Sequence, residues 1–258
     1  MFHIQEDELL RLIAAFVWPF FRIGAMLITL PVFTGHTVPA RVRLVLAVGV
    51  TLAAMPLANK PPAVELFSFE GIAIAFEQVL IGLFMGFILQ LVFAAVVFAG
   101  QSISYGMGLS FATMVDPMTG VQVPVISQFY LILATLVFLS LGGHLVMIEM
   151  VVDSFLTLPM GTEGIARKEL WTLVSWSSRL FAAGVLLSIP VTTILLLTNI
   201  GFGVATRAAP QLNIFAVGFP VTLLMGLVLV WVTLPDILSR FSGILSEGYQ
   251  LMNEILRF

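Results

Sequence analysis

YGMGLSFATMVDP, residues Tyr105 to Pro117, sets glycine, methionine, phenylalanine and a single carboxylate between two long hydrophobic stretches. Backbone that leaves helical geometry at membrane depth has unpaired N–H and C=O groups, which persist only where other protein or a water-filled cavity satisfies them. A flexible apolar loop in this position is therefore a candidate plug or constriction. Its flanks decide the fold: both are long and apolar enough to cross a bilayer as helices, so the chain reads as an all-α membrane protein.

Composition points the same way. Of 258 residues, 60% are hydrophobic and 10% charged, and the mean hydropathy is +1.11. A soluble chain of this length needs far more charge to cover its surface. The net charge of -3 comes with no basic run, which argues against a nucleic-acid partner. Cysteine is absent, which removes disulfides, thiolate nucleophiles and cysteine-ligated metals. Glu6, Asp7 and Glu8 stand where a cleavable signal carries positive charge, so the first apolar segment is expected to be retained.

Working outward, apolar stretches run from Leu9 to Leu30, Val42 to Ala58, Gly71 to Ala99, Val123 to Val152, Trp171 to Val204 and Ile214 to Leu234. The expected architecture is about six long, kinked hydrophobic helices arranged as helical hairpins. Several stretches exceed the ~20 residues of one perpendicular crossing, and Pro19 and Pro190 interrupt two of them, so kinks, tilts or re-entrant pairs are expected. No linker divides the chain by composition. If six spans alternate, Arg11, Lys60, Arg167, Lys168, Arg240 and Arg257 fall on one side and Arg41, Arg43 and Arg207 on the other. That favours cytoplasmic termini by a narrow margin.

Arg22, Glu77, Glu149 and Arg179 lie within or beside apolar runs, where an ionisable group faces a cavity or an opposite charge, on this chain or another. Residues 235–258 read as an amphipathic helix starting at Pro235, for the membrane interface or for a partner. Gly82 and Gly86 form a GxxxG pair that permits close helix approach without naming the partner. His3, His36 and His144 are too scattered for a metal site by local spacing, and no nucleophile elbow, phosphate loop, zinc helix or paired catalytic carboxylates occur. Two function classes remain: a component of a protein-conducting gate, and a small secondary transporter binding a solute at broken helices. Matching interrupted halves, the usual mark of a transporter, are not evident.

Within the opening stretch, Gly106 and Gly108 also fit a tight turn, with Met107, Phe111 and Met114 packed as a buried cluster. Arg207, ahead of the turn at Pro210, fits either a cation at the membrane surface or an ion pair with a neighbouring subunit. Glu77 and Gln78 have a similar choice between a partner and a channel.

Four separated stretches then carry a resemblance: PVFTGHTVPARVRL from Pro31 to Leu44, AGQSISYGMGLSFATMVDPMTG from Ala99 to Gly120, GGHLVMIEMVVDSFLTLP from Gly142 to Pro159, and RAAPQLNIFAVGFP from Arg207 to Pro220. In this order, and with this length and hydrophobic plan, the chain resembles the FliR family of flagellar type III secretion export-gate proteins, which has injectisome relatives. The resemblance covers essentially the whole chain.

It implies a single copy in a helical gate with several FliP and FliQ subunits, with residues 1–165 FliP-like and 166–258 a FliQ-like hairpin ending in the amphipathic helix. FlhB and FlhA are further expected partners, beside membrane lipid. The expected site is the bacterial inner membrane at the flagellar basal body, and the cargo is unfolded flagellar subunits. The resemblance makes the loop a pore plug of Tyr105, Gly106, Met107, Gly108, Leu109, Phe111, Met114, Asp116 and Pro117. It leans Arg207 toward an intersubunit ion pair; Glu77 and Arg22 are further candidate intersubunit charge contacts from their place in apolar runs, and no catalytic residue, cofactor or metal is expected. A gate lying above the plane assigned by hydropathy would explain the weak charge bias and the overlong segments.

Overall fold

In a computed structural model, the chain is described over residues 6–33, 38–58, 62, 64–109, 113–115, 122–161, 164–209 and 214–258. Seven helices occur among the described residues: α1 (Glu6–Thr29), α2 (Ala40–Ala54), α3 (Phe69–Gly106), α4 (Val125–Ser140), α5 (Gly143–Thr157), α6 (Arg167–Ala208) and α7 (Ile214–Leu256). Two three-residue strands, β1 (Thr113–Val115) and β2 (Gln122–Pro124), lie between α3 and α4. The all-α membrane class holds. Among the described residues, four helices are long and apolar enough to cross a membrane, or five if the bent pair α4 and α5 counts as one span.

The helix plan departs from the expected one in two places. The stretch from Val123 to Val152 is broken into α4 and α5. Gly142 makes the break, because its φ of +70° belongs to the left-handed region that glycine adopts without strain. Pro235 does not begin a separate amphipathic helix. α7 continues through Pro220 and Pro235, and α1 and α6 likewise continue through Pro19 and Pro190. A proline removes one ladder hydrogen bond, and a helix apolar over several turns on each side tolerates that loss. At 38, 42 and 43 residues, α3, α6 and α7 are each ~57–65 Å long, about twice a hydrocarbon core.

The chain divides into two compact units. One comprises Met1–Gln90, Leu141–Ser175 and Glu247–Phe258, and the other Leu91–Ser140 and Trp176–Ser246. In the first, α1 buries Trp18, Arg22 and Met26 at four-residue spacing, one face of a helix, and Leu30 just past its end is buried too. That face meets α3 at its two glycines. A Cβ at Gly82 would lie 2.9 Å from the Cβ of Ala25 and 3.0 Å from the Arg22 carbonyl carbon, and one at Gly86 would meet the Thr29 side chain. The GxxxG pair therefore serves α1 of the same chain, letting two backbones approach closely. Gln90 Nε2 extends the seam by donating to the Thr29 carbonyl at 2.8 Å.

The second unit is built on aromatic and small residues. Phe93 meets Phe138 and Phe241 edge-on, with ring centroids 5.7 and 5.4 Å away. Gly100 lies against the Ser127 backbone, and Gly184 against Phe98 and the Ala95 carbonyl. Many large apolar side chains of this unit stay exposed, among them Leu196, Leu197, Leu224, Val228, Trp231 and Val232. Such a surface is stable only against lipid or other protein.

Candidate functional site

The opening stretch begins as the last turn of α3, which ends in a capped stop. The Leu109 N–H donates to the Ser104 carbonyl at 2.9 Å, and the Gly108 N–H to the Tyr105 carbonyl at 3.1 Å. With Gly108 at φ +77°, this is a Schellman cap, which needs glycine at that position. The tight-turn reading of Gly108 is thus what the geometry shows, and Met107 is buried. Tyr105 and Met114 are 60% and 49% exposed. Beyond the cap, β1 pairs antiparallel with β2, Met114 opposite Val123. The ladder satisfies backbone groups that an open loop in an apolar setting would leave unpaired. Phe111, Asp116 and Pro117 lie outside the described residues.

Residues 106–108 are held by α6 and α7. The Leu195 Cδ1 lies 3.2 Å from where a Gly106 Cβ would stand, and the Asn199 amide donates to the Gly106 carbonyl at 3.4 Å. On α7 the Phe219 ring packs over Gly108, and the Met107 side chain lies on the bare backbone of Gly226. Sequence reading missed this seat. The sequence carried no signal for it: the apolar run of α7 holds Gly218 as well as Gly226, and nothing sets one apart from the other.

Arg22, expected as an intersubunit contact, is instead wholly buried within its own unit. Its Nε donates to Gln78 Oε1 at 2.9 Å, Nη1 to the Ser154 carbonyl and hydroxyl at 2.9 Å each, and Nη2 to the Leu158 carbonyl at 2.8 Å. The Phe155 ring lies 4.3 Å from the guanidinium carbon. Ser154 lies in the last turn of α5 and Leu158 is its C-cap, so the negative end of the helix dipole stands in for a carboxylate. Four of the five guanidinium N–H groups are thus directed at acceptors of its own chain.

Glu77 is only partly buried, and its carboxylate lies against Gly164, with one oxygen enclosed and unpaired among the described residues. Gln78, beside it, is buried and accepts from Arg22. Arg207 is exposed in the last turn of α6, and no side-chain hydrogen bond or ion pair to it occurs among the described residues. His144 is helical in α5, while His3 and His36 lie outside the described residues. No cluster suited to a metal ion occurs among the described residues.

Residues 13–248 match the family described as "Bacterial export proteins, family 1". The chain is similar to the flagellar biosynthetic protein FliR of Escherichia coli K12, with 38% identity over 99% of this chain and 98% of that protein. It is 39% identical to the FliR of Pectobacterium carotovorum over the same shares. The FliR of Bacillus subtilis is 29% identical over 97% of each.

Proposed function

This chain belongs to family 1 of the bacterial export proteins, and from that premise we propose that it is a non-enzymatic component of the flagellar type III export gate. It assembles with FliP and FliQ in the bacterial inner membrane and helps to conduct unfolded flagellar subunits, with FlhB and FlhA as further partners. The full-length similarity to FliR proteins carries this reading. The exposed apolar surface of α6 and α7 is consistent with it, since such area is covered by lipid or by partner helices. Residues 1–165 then take the FliP-like role and 166–258 the FliQ-like one.

In the same reading, the segment from Tyr105 to Pro117 plugs the resting pore. A stopper that excludes ions and yields to polypeptide needs side chains that repack without strict geometry, which thioether and aromatic groups provide. Deleting residues 106–114 is expected to leave complex yield intact while membranes holding the complex leak ions. Conductance and yield are measured separately. A deletion variant that assembles and stays tight would overturn the plug.

A further inference from the structure

The capped end of α3 is clamped at residues that neither the plug reading nor the family comparison assigns. Phe219 and Gly226 are seven residues apart on α7, two turns along one face. Phe219 covers Gly108 and Gly226 receives Met107. A Cβ at position 226 would stand 2.7 Å from the thioether sulfur and 2.7 Å from the terminal methyl of Met107, closer than atoms of that kind approach. Met107 and Gly226 are both buried, so the fit is closed to water.

We propose that Gly226 is a positioning residue for the plug, a seat in which the Met107 thioether holds the segment closed and from which it withdraws when the gate opens. This rests on the plug reading above. Glycine is required at the seat because the side chain lies directly on backbone, where any substituent would occupy the thioether's place. Methionine suits the other half of the contact. Its unbranched, polarizable side chain fills an irregular hollow and leaves it by rotating about single bonds, with no directional bond of its own to break. The cap adds a defined pivot, because Gly108 holds the left-handed turn while Ser104 and Tyr105 anchor it to α3. The Asn199 contact to the Gly106 carbonyl is long, at 3.4 Å, so little polar bonding opposes release.

The test uses the assembled gate with its partner subunits in reconstituted bilayers, reading sodium and potassium conductance beside complex yield. Four variants are compared with the parent: Gly226→Ala, Met107→Ala, Met107→Leu and deletion of residues 106–114. Gly226→Ala and Met107→Ala are each expected to raise resting conductance several-fold at unchanged yield. Combining them should raise it no further than Met107→Ala alone, since both remove one contact. Met107→Leu, of similar volume, should remain close to the parent. If Gly226→Ala fails to assemble, Met107→Ala alone decides, because it removes the knob without a clash. A leaking deletion with tight Gly226→Ala and Met107→Ala variants overturns the seat and leaves the plug standing. A tight deletion overturns both.

Discussion

The Arg22 node and the Met107 seat are both buried contacts between helices, yet they are built from opposite chemistry. Arg22 places three nitrogens on fixed acceptors of α3 and α5, with hydrogen bonds between 2.8 and 2.9 Å. Such a contact is directional and admits one geometry, and loosening it strands several buried polar groups together. Met107 rests on Gly226 through apolar atoms alone, a contact whose energy depends on fit and changes gradually as the side chain moves. The first arrangement suits a part that must not move. The second suits one that must.

The sharpest way to break this contrast is at the node. Arg22→Met should leave Gln78 Oε1 and the Leu158 carbonyl without their Arg22 donors, while the Ser154 carbonyl keeps the Leu158 N–H; each stranded group costs roughly 1–3 kcal/mol. The expected outcome is poor accumulation and rapid proteolysis of the chain. Arg22→Lys should recover only part of the loss, because an ammonium cannot reproduce the planar fork. Thermal inactivation in detergent measures both, and an Arg22→Met variant that melts with the parent would remove the node from the account of stability.

A smaller effect separates the two glycines. Gly82 faces backbone and the short Ala25 side chain, whereas Gly226 faces the flexible end of Met107. Gly82→Ala is therefore expected to push α1 from α3 and destabilise the chain by about 1–3 kcal/mol. Gly226→Ala should melt close to the parent while altering conductance. Equal destabilisation by the two substitutions would erase the distinction.

The smallest effect on the chain itself is expected at Arg207. It is exposed at the C-terminal end of α6, where a cation gains about 0.3–1 kcal/mol from the helix dipole. Arg207→Glu should shift chain stability by no more than that, and Arg207→Lys by less. A loss of complex yield confined to Arg207→Glu, restored by a compensating charge in FliP or FliQ, would identify a partner's carboxylate. Equal yields for both variants would leave Arg207 facing lipid headgroups or water.

Hydrophobic content and the recurrence of long apolar runs determined the membrane class and the helical fold, because bilayer thickness and backbone pairing leave few alternatives. The stretch at Tyr105 stood out for the same reason, and GMGL already spells the glycine cap that ends α3. Gly82 and Gly86 were legible as a place of close approach, with no sign of which helix approaches. Tertiary structure alone decided the rest. Arg22 and Arg207 look alike in sequence as cations in apolar context, and only the arrival of Ser154 and Leu158, more than 130 residues away in the chain, makes Arg22 internal. Gly226 was silent for the same physical reason: a glycine carries no side chain to advertise a contact, so its role exists only once Met107 is folded onto it.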